Sequence, residues 1–214
     1  MKDIIIIGAG DFGKEVAWLI EDINRKELAY NILGFLDDDT NKIGQEFNGY
    51  KCLGPVNYLS EISKRQFVCA VIAMQDGQIR KRIVDKLVDF DNWETIIHPS
   101  VNFAPTSFIG KGCIICAGSI VSVNTSIRDQ CIFNFSVTMG HDCLIEKYVS
   151  IMSGSCISGH TVIKEGAYLS TNSTVVPGMH IGTNAKVGAG SVVIRNVKEG
   201  TTVMGVPAKR LNIG

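Results

Sequence analysis

Apolar and polar positions change rhythm once along this chain, near residue 96. Before that point, short apolar runs alternate with stretches whose apolar residues recur every three or four positions. Ile4–Ile7 reads as a buried strand, and Gly13–Ile23 carries apolar residues at helical spacing. "NILGFLD" (Asn31–Asp37) and "FVCAVIAM" (Phe67–Met74) predict further strands, and "IRKRIVDKLVDF" (Ile79–Phe90) predicts an amphipathic helix. Such alternation implies βαβ units around a small parallel sheet of about four strands.

From Ile97 the period becomes six. Seventeen blocks of six fit residues 97–198 without an insertion, and the first position of every block is apolar. The fifth position is mostly small. The fourth is Gly at 112, 118, 154, 166, 178 and 190 and Asn at 124, 172, 184 and 196. Gly and Asn are the residues least penalised at positive φ, so each block predicts a corner there. The pattern is that of a hexapeptide-repeat β-helix, with three blocks to a triangular coil and eighteen residues returning the chain above itself. The repeat supplies between five and six coils, stacked about 4.8 Å apart. The expected fold is thus α/β plus all-β. A small Rossmann-like domain, 1–96, precedes a parallel β-helix with a C-terminal tail, 97–214.

Composition narrows the function classes. Lys plus Arg number 21 and Asp plus Glu 21 in 214 residues, and no basic run suggests nucleic acid. Apolar runs are far shorter than a membrane span, and no signal sequence is evident, so a cytoplasmic protein is expected. The seven cysteines include a single CxxC (Cys113, Cys116), with no second pair to complete a zinc site, and small-residue packing accounts for them. No metal is expected.

Candidate chemistry concentrates at the corners. His141 is third in the block "MGHDCL", where a side chain can point out of the coil toward a neighbouring subunit, and Asp142 follows at the turn position. An imidazole with an ordinary pKa of about 6.5 suits a general base near neutral pH. A carboxylate folded back onto it would orient the ring. One coil on, Gly159 stacks over His141 and His160 over Asp142. Cys143 occupies a small, inward position and is discounted as a nucleophile. His98 and His180 fall elsewhere in their blocks. Near the N-terminus, Gly8, Gly10 and Gly13 form Gly-x-Gly-x-x-Gly between a strand and a helix, with acidic Asp37 following the second strand. Alone, that turn suggests a nicotinamide or flavin oxidoreductase. A β-helix, however, offers no usual domain to hold a substrate against such a cofactor.

Unbroken hexads ending in "VMGVPAKRL" (Val203–Leu211), after an α/β domain opening "GAGDFGKEVA", resemble the left-handed β-helix acyltransferases. Within them the chain is similar to the sialic acid O-acetyltransferase and bacillosamine-pathway amino-sugar N-acetyltransferase group. The resemblance implies a left-handed helix, acetyl-CoA as donor, and a homotrimer with active sites between neighbouring coils. It implies His141 as catalytic base with Asp142, and the Gly159 N–H as donor to the thioester carbonyl. Acetyl-CoA is expected near Ala189, Gly190, Pro207 and Lys209, with Lys209 serving its phosphates or adenine end. The N-terminal domain would hold a sugar or nucleotide-sugar acceptor on Gly8, Gly10, Asp11, Phe12 and Gly13. Asp37 or Asp38 would accept from base or ribose, with Arg80 as a further contact; His160, which the family motif does not require, is a candidate acceptor contact from its place over Asp142. Four residues, at three places, depart from the pattern. Asp11-Phe12 stands where Gly-His is frequent, Gln75 where Gly is frequent, and Ser150 where the bacillosamine enzymes carry a donor-contacting His.

The expected function is acetyl transfer to the amine (or hydroxyl) of a sugar, in particular a nucleotide-linked 4-amino-dideoxy sugar for a surface glycan. O-acetylation of sialic acid or a related sugar is the nearer alternative. A zinc-dependent β-helix lyase is the alternative of another class, disfavoured because no third His has ligand spacing. A non-catalytic binding module remains the third.

Overall fold

A computed structural model describes residues 1–211, so the last three residues of the expected 97–214 domain lie outside the described residues. The N-terminal sheet has five strands, in the order β3-β4-β2-β1-β5. These are β1 (Lys2–Ile7), β2 (Tyr30–Leu36), β3 (Glu46–Phe47), β4 (Tyr50–Gly54) and β5 (Cys69–Ile72). β1 is an interior strand, flanked by and parallel to β2 and β5, which explains its run of four isoleucines, all fully buried. The short antiparallel β3–β4 hairpin is the strand pair that periodicity missed. α1 (Asp11–Lys26) starts directly after the glycine turn, α2 spans Leu59–Arg65, and α3 (Gly77–Lys86) is capped by Asp76, whose carboxylate accepts from the Gln78 and Ile79 N–H groups. α3 therefore begins two residues before the predicted helix and ends four before it.

The remaining strands are two or three residues long and stack into three faces of a triangular prism. The first face runs from Ile96–Ile97 to Lys186–Val187 and on to Thr202–Met204, the second from Asn102–Phe103 to Val192–Val193, and the third from Phe108–Ile109 to His180–Ile181. Neighbouring strands pair eighteen residues apart, as Ile114 does with Ile132 and Ile120 with Thr138. First-position residues fill the interior. Every fourth-position corner from Gly112 to Gly190 has φ between 55° and 76°. Five of them, at Gln130, Ser136, Asp142, Tyr148 and His160, are neither Gly nor Asn. Each L-residue there costs roughly 1–2 kcal/mol of backbone strain, which coil stacking must offset.

The eighteen-residue register ends before the last predicted hexad. Ile181 pairs with Val197 and Lys186 with Thr202, sixteen residues apart, and Asn196 does not take the left-handed conformation. Val197 is buried whereas Ile194 is exposed, so the chain drops two residues to place an apolar side chain inside.

The N-terminal domain sits on the first face. Ile96, Ile114 and Ile132 point outward there, yet are fully buried in a cluster that includes Ile4, Phe12, Val16 and Ile20. Burying each contributes roughly 1.5–3 kcal/mol. α3 meets the edge between the third and first faces so closely that a Cβ on Gly77 would lie 2.2 Å from the Tyr148 carbonyl oxygen.

Candidate active site

On the edge between the second and third faces, opposite the N-terminal domain, the structure brings together Asn124, Asp142 and His160 at one corner column and His141 and Gly159 beside it. His141 Nδ1 lies 2.8 Å from Asp142 Oδ2, and Asn124 Nδ2 donates to Asp142 Oδ1 at 3.2 Å. The His141 contact, then the Asn124 contact, hold the Asp142 carboxyl below the usual carboxylate range. An ionised Asp142 requires the proton on Nδ1, which leaves the Nε2 lone pair of His141 free. Both side chains are substantially exposed.

The imidazole lies over Gly159. A Cβ at 159 would stand 2.7 Å from both Cε1 and Nε2 of His141, so glycine there is a steric requirement of the ring's position. The Gly159 N–H donates to nothing among the described residues. His160 meets His141 edge-on, with ring centroids 4.9 Å apart. His141, Asp142 and His160 each present one possible ligand atom within 4.8 Å of the others. Cys143 points inward, 3.3 Å from the Ser158 carbonyl, and burial pushes its thiol up, as befits packing rather than attack.

A second group of candidates surrounds a cavity of about 320 Å³ at the mouth of the N-terminal sheet. Gly8, Gly10, Asp11, Phe12 and Asp37 line it, joined by Gln75, one of the departures from the family pattern, and by Glu15 and Lys42, which sequence reasoning passed over. Gly13 does not line it. A Cβ there would sit 1.9 Å from the Gly8 carbonyl oxygen, so this glycine serves helix–strand packing. Asp37 is buried, and burial acts to raise its pKa. The Lys42 ammonium and the N–H groups of Asp39 and Ala9 outweigh that and hold it below its ordinary value. Both its oxygens are thus engaged in shaping the turn. Asp38 turns away, accepting from the Val56 N–H and Lys86.

Arg80 corrects its expected role as an acceptor contact, because its side chain is fully buried. It donates from Nε to the Gln130 carbonyl, from Nη1 to those of Met74 and Gln75, and from Nη2 to those of Tyr148 and Val149. Among the described residues no carboxylate hydrogen-bonds to it. Burial pulls the guanidinium down to about 10, still charged at neutral pH. It rivets the N-terminal domain to the β-helix.

Farther along the first face runs a groove of about 690 Å³ between the start of α3 and the upper coils, lined by Gln75, Tyr168, Lys186, Ala189 and Met204 among others. Gly190 lies at the adjoining corner outside this lining, and Pro207 and Lys209 are exposed near the end of the chain. The candidates thus fall into two sets on opposite sides of one chain.

Residues 3–87 match the PglD N-terminal domain family. The acetyltransferase domain of PglB from Neisseria gonorrhoeae FA1090, solved with acetyl coenzyme A, is 31% identical with a TM-score of 0.90, over 98% of this chain and 99% of that one. The chain belongs to the hexapeptide-repeat sugar acetyltransferases. Caulobacter crescentus PerB, solved with CoA and GDP-perosamine, resembles this acetyltransferase with 26% identity and a TM-score of 0.88, covering 99% and 98% of the two chains. The UDP-N-acetylbacillosamine N-acetyltransferase of Bacillus subtilis (strain 168) is 33% identical over 55% of the chain, which spans about half (52%) of that relative's length. Among the described residues no helix is long and apolar enough to cross a membrane.

Proposed function

We propose that the protein is a cytoplasmic acetyltransferase that moves the acetyl group of acetyl-CoA onto the amine of a nucleotide-linked 4-amino-dideoxy sugar destined for a surface glycan. The observation that carries this reading is the His141 imidazole, oriented by Asp142, lying over a glycine whose N–H is unused. Nε2 of His141 takes a proton from the acceptor nitrogen as that nitrogen attacks the thioester carbonyl. The Gly159 N–H stabilises the oxyanion of the tetrahedral intermediate. Collapse expels coenzyme A as its thiol, and His141 returns the proton to the sulfur. His160 lies where it can contact the acceptor.

The cavity beside Gly8 and Gly10 suits the nucleotide diphosphate, at the N-terminus of α1. The groove past Ala189 suits coenzyme A, with Lys186 as its one ammonium. The groove runs along the first face and the cavity lies in the N-terminal domain that covers that face, whereas His141 of the same chain stands on the opposite edge. A homotrimer, in which each copy offers its His141 edge to the first face of the next, unites them.

Thiol release from acetyl-CoA across UDP-, dTDP- and GDP-linked 4-amino sugars, with sialic acid included, tests the assignment. His141→Ala is expected to lose roughly 10³-fold in turnover while retaining coenzyme A binding and oligomeric size. Near-normal turnover would remove His141 from the mechanism. Mixed oligomers of His141→Ala with a variant blocked at the acceptor cavity, Gly10→Trp, should regain activity. No recovery on mixing would count against the shared site. Zinc-dependent lyase activity in the purified protein would favour the metal reading of His141, Asp142 and His160 instead.

A further inference from the structure

The acceptor cavity and the donor groove share one lining residue among those described, Gln75. Its backbone and its side chain are treated very differently. The Gln75 carbonyl accepts from Ser150 Oγ at 2.6 Å and from Arg80 Nη1 at 3.0 Å, which uses both of its lone pairs. Both donors are buried, Ser150 on the first face of the β-helix and Arg80 anchored on the Gln130 and Tyr148 carbonyls. Arg80 also fixes the preceding Met74 carbonyl at 2.6 Å. The Gln75 carboxamide, in contrast, makes no hydrogen bond within the described residues and is half-buried.

We propose that Gln75 is a specificity-determining residue whose carboxamide contacts a hydroxyl of the acceptor sugar next to the reacting amine, at the point where acceptor cavity and donor groove meet. Ser150 and Arg80 act as positioning residues, clamping the backbone so that the carboxamide is presented at a fixed height on the β-helix. A primary amide carries two donors and an acceptor and no charge. It therefore matches a hydroxyl, which both donates and accepts, better than a diphosphate, which only accepts and is drawn to Lys42 or Lys186. The inference rests on the reading of the two cavities as acceptor and donor sites.

The test is steady-state kinetics of Gln75→Ala and Ser150→Ala with GDP- and UDP-linked 4-amino-4,6-dideoxy sugars, alongside equilibrium binding of GDP, UDP and coenzyme A. Gln75→Ala should lower kcat/KM for the amino sugar about ten-fold, while binding of the sugar-free nucleoside diphosphate and of coenzyme A changes less than about two-fold. Ser150→Ala, which keeps the carboxamide but frees its backbone, should cost about three-fold in the same parameter. Unchanged amino-sugar kinetics in Gln75→Ala, or an equal loss for the sugar-free diphosphate, would overturn the proposal. If the wild-type protein binds neither a nucleoside diphosphate nor coenzyme A, the cavity reading fails and carries the inference with it. Wild-type binding of both, with Gln75→Ala indifferent, refutes the role of Gln75 alone.

Discussion

Two edges of the same prism have the same backbone and opposite fates. At the edge between the second and third faces, Asn124, Asp142 and His160 stack at left-handed corners and stay accessible. At the edge between the third and first faces, Gln130 and Tyr148 occupy equivalent corners, yet both are buried beneath the N-terminal domain. Corner carbonyls that would otherwise face water accept from Arg80 there. Corner geometry therefore sets where a side chain or carbonyl points, and what covers the edge decides whether its groups stay accessible or hold the molecule together.

The contrast can be broken at either edge. Arg80→Met should have the largest effect, lowering stability by about 3 kcal/mol or more, because it strands buried carbonyl acceptors on both domains. Thermal unfolding reads it, and an unchanged Tm would mean that water satisfies those carbonyls. Gly159→Ala is next, with kcat down about 30-fold, since the new methyl displaces the His141 ring. No positive φ is involved at Gly159, so its Tm should hold, and full activity would show that the imidazole works from elsewhere.

Smaller effects compare the corners directly. Tyr148→Gly relieves left-handed strain but gives up buried contacts, and should lose about 1–2 kcal/mol. His160→Gly relieves the same strain at an exposed corner and should gain about 0.5–1 kcal/mol in denaturant unfolding. If both variants shift the same way, burial is not what separates the edges. Least is the acid response of Asp37. Its pKa is lowered in the folded state, so its contribution is present above the ordinary carboxylate value of about 3.9 and fades as pH falls through the depressed value. Asp37→Asn should make the stability–pH curve shallower below about pH 4, leaving the share that the depressed carboxyls of Asp142 and Asp11 contribute. An unchanged acid limb would show that Asp37 contributes nothing to it.

Some of this was readable from residues in order. The hexad register placed His141, Gly159 and His160 on one edge by simple addition of eighteen, and the structure brings them together. The same counting ran too far at Asn196, where an inward demand for Val197 overrode the period. It also took Gly13 as a ligand contact, although the close approach of Gly8 explains that glycine. Arg80 gave no sign of its burial, since a charged residue on an amphipathic helix ordinarily faces solvent. Lys42 and Glu15 lacked any motif to mark them, and Gln75 was marked only as a departure from the family pattern.

The sequence by itself determined the β-helix, its corners and the imidazole edge, because stacking is a translation that repeats in the chain as it repeats in space. Only the tertiary structure decided that the N-terminal cavity, the groove and the Gln75 junction lie on the side of the β-helix opposite that edge. Those facts depend on how two independently patterned domains meet, through Ile96, Ile114, Ile132 and the Arg80 guanidinium, and no local period encodes that meeting.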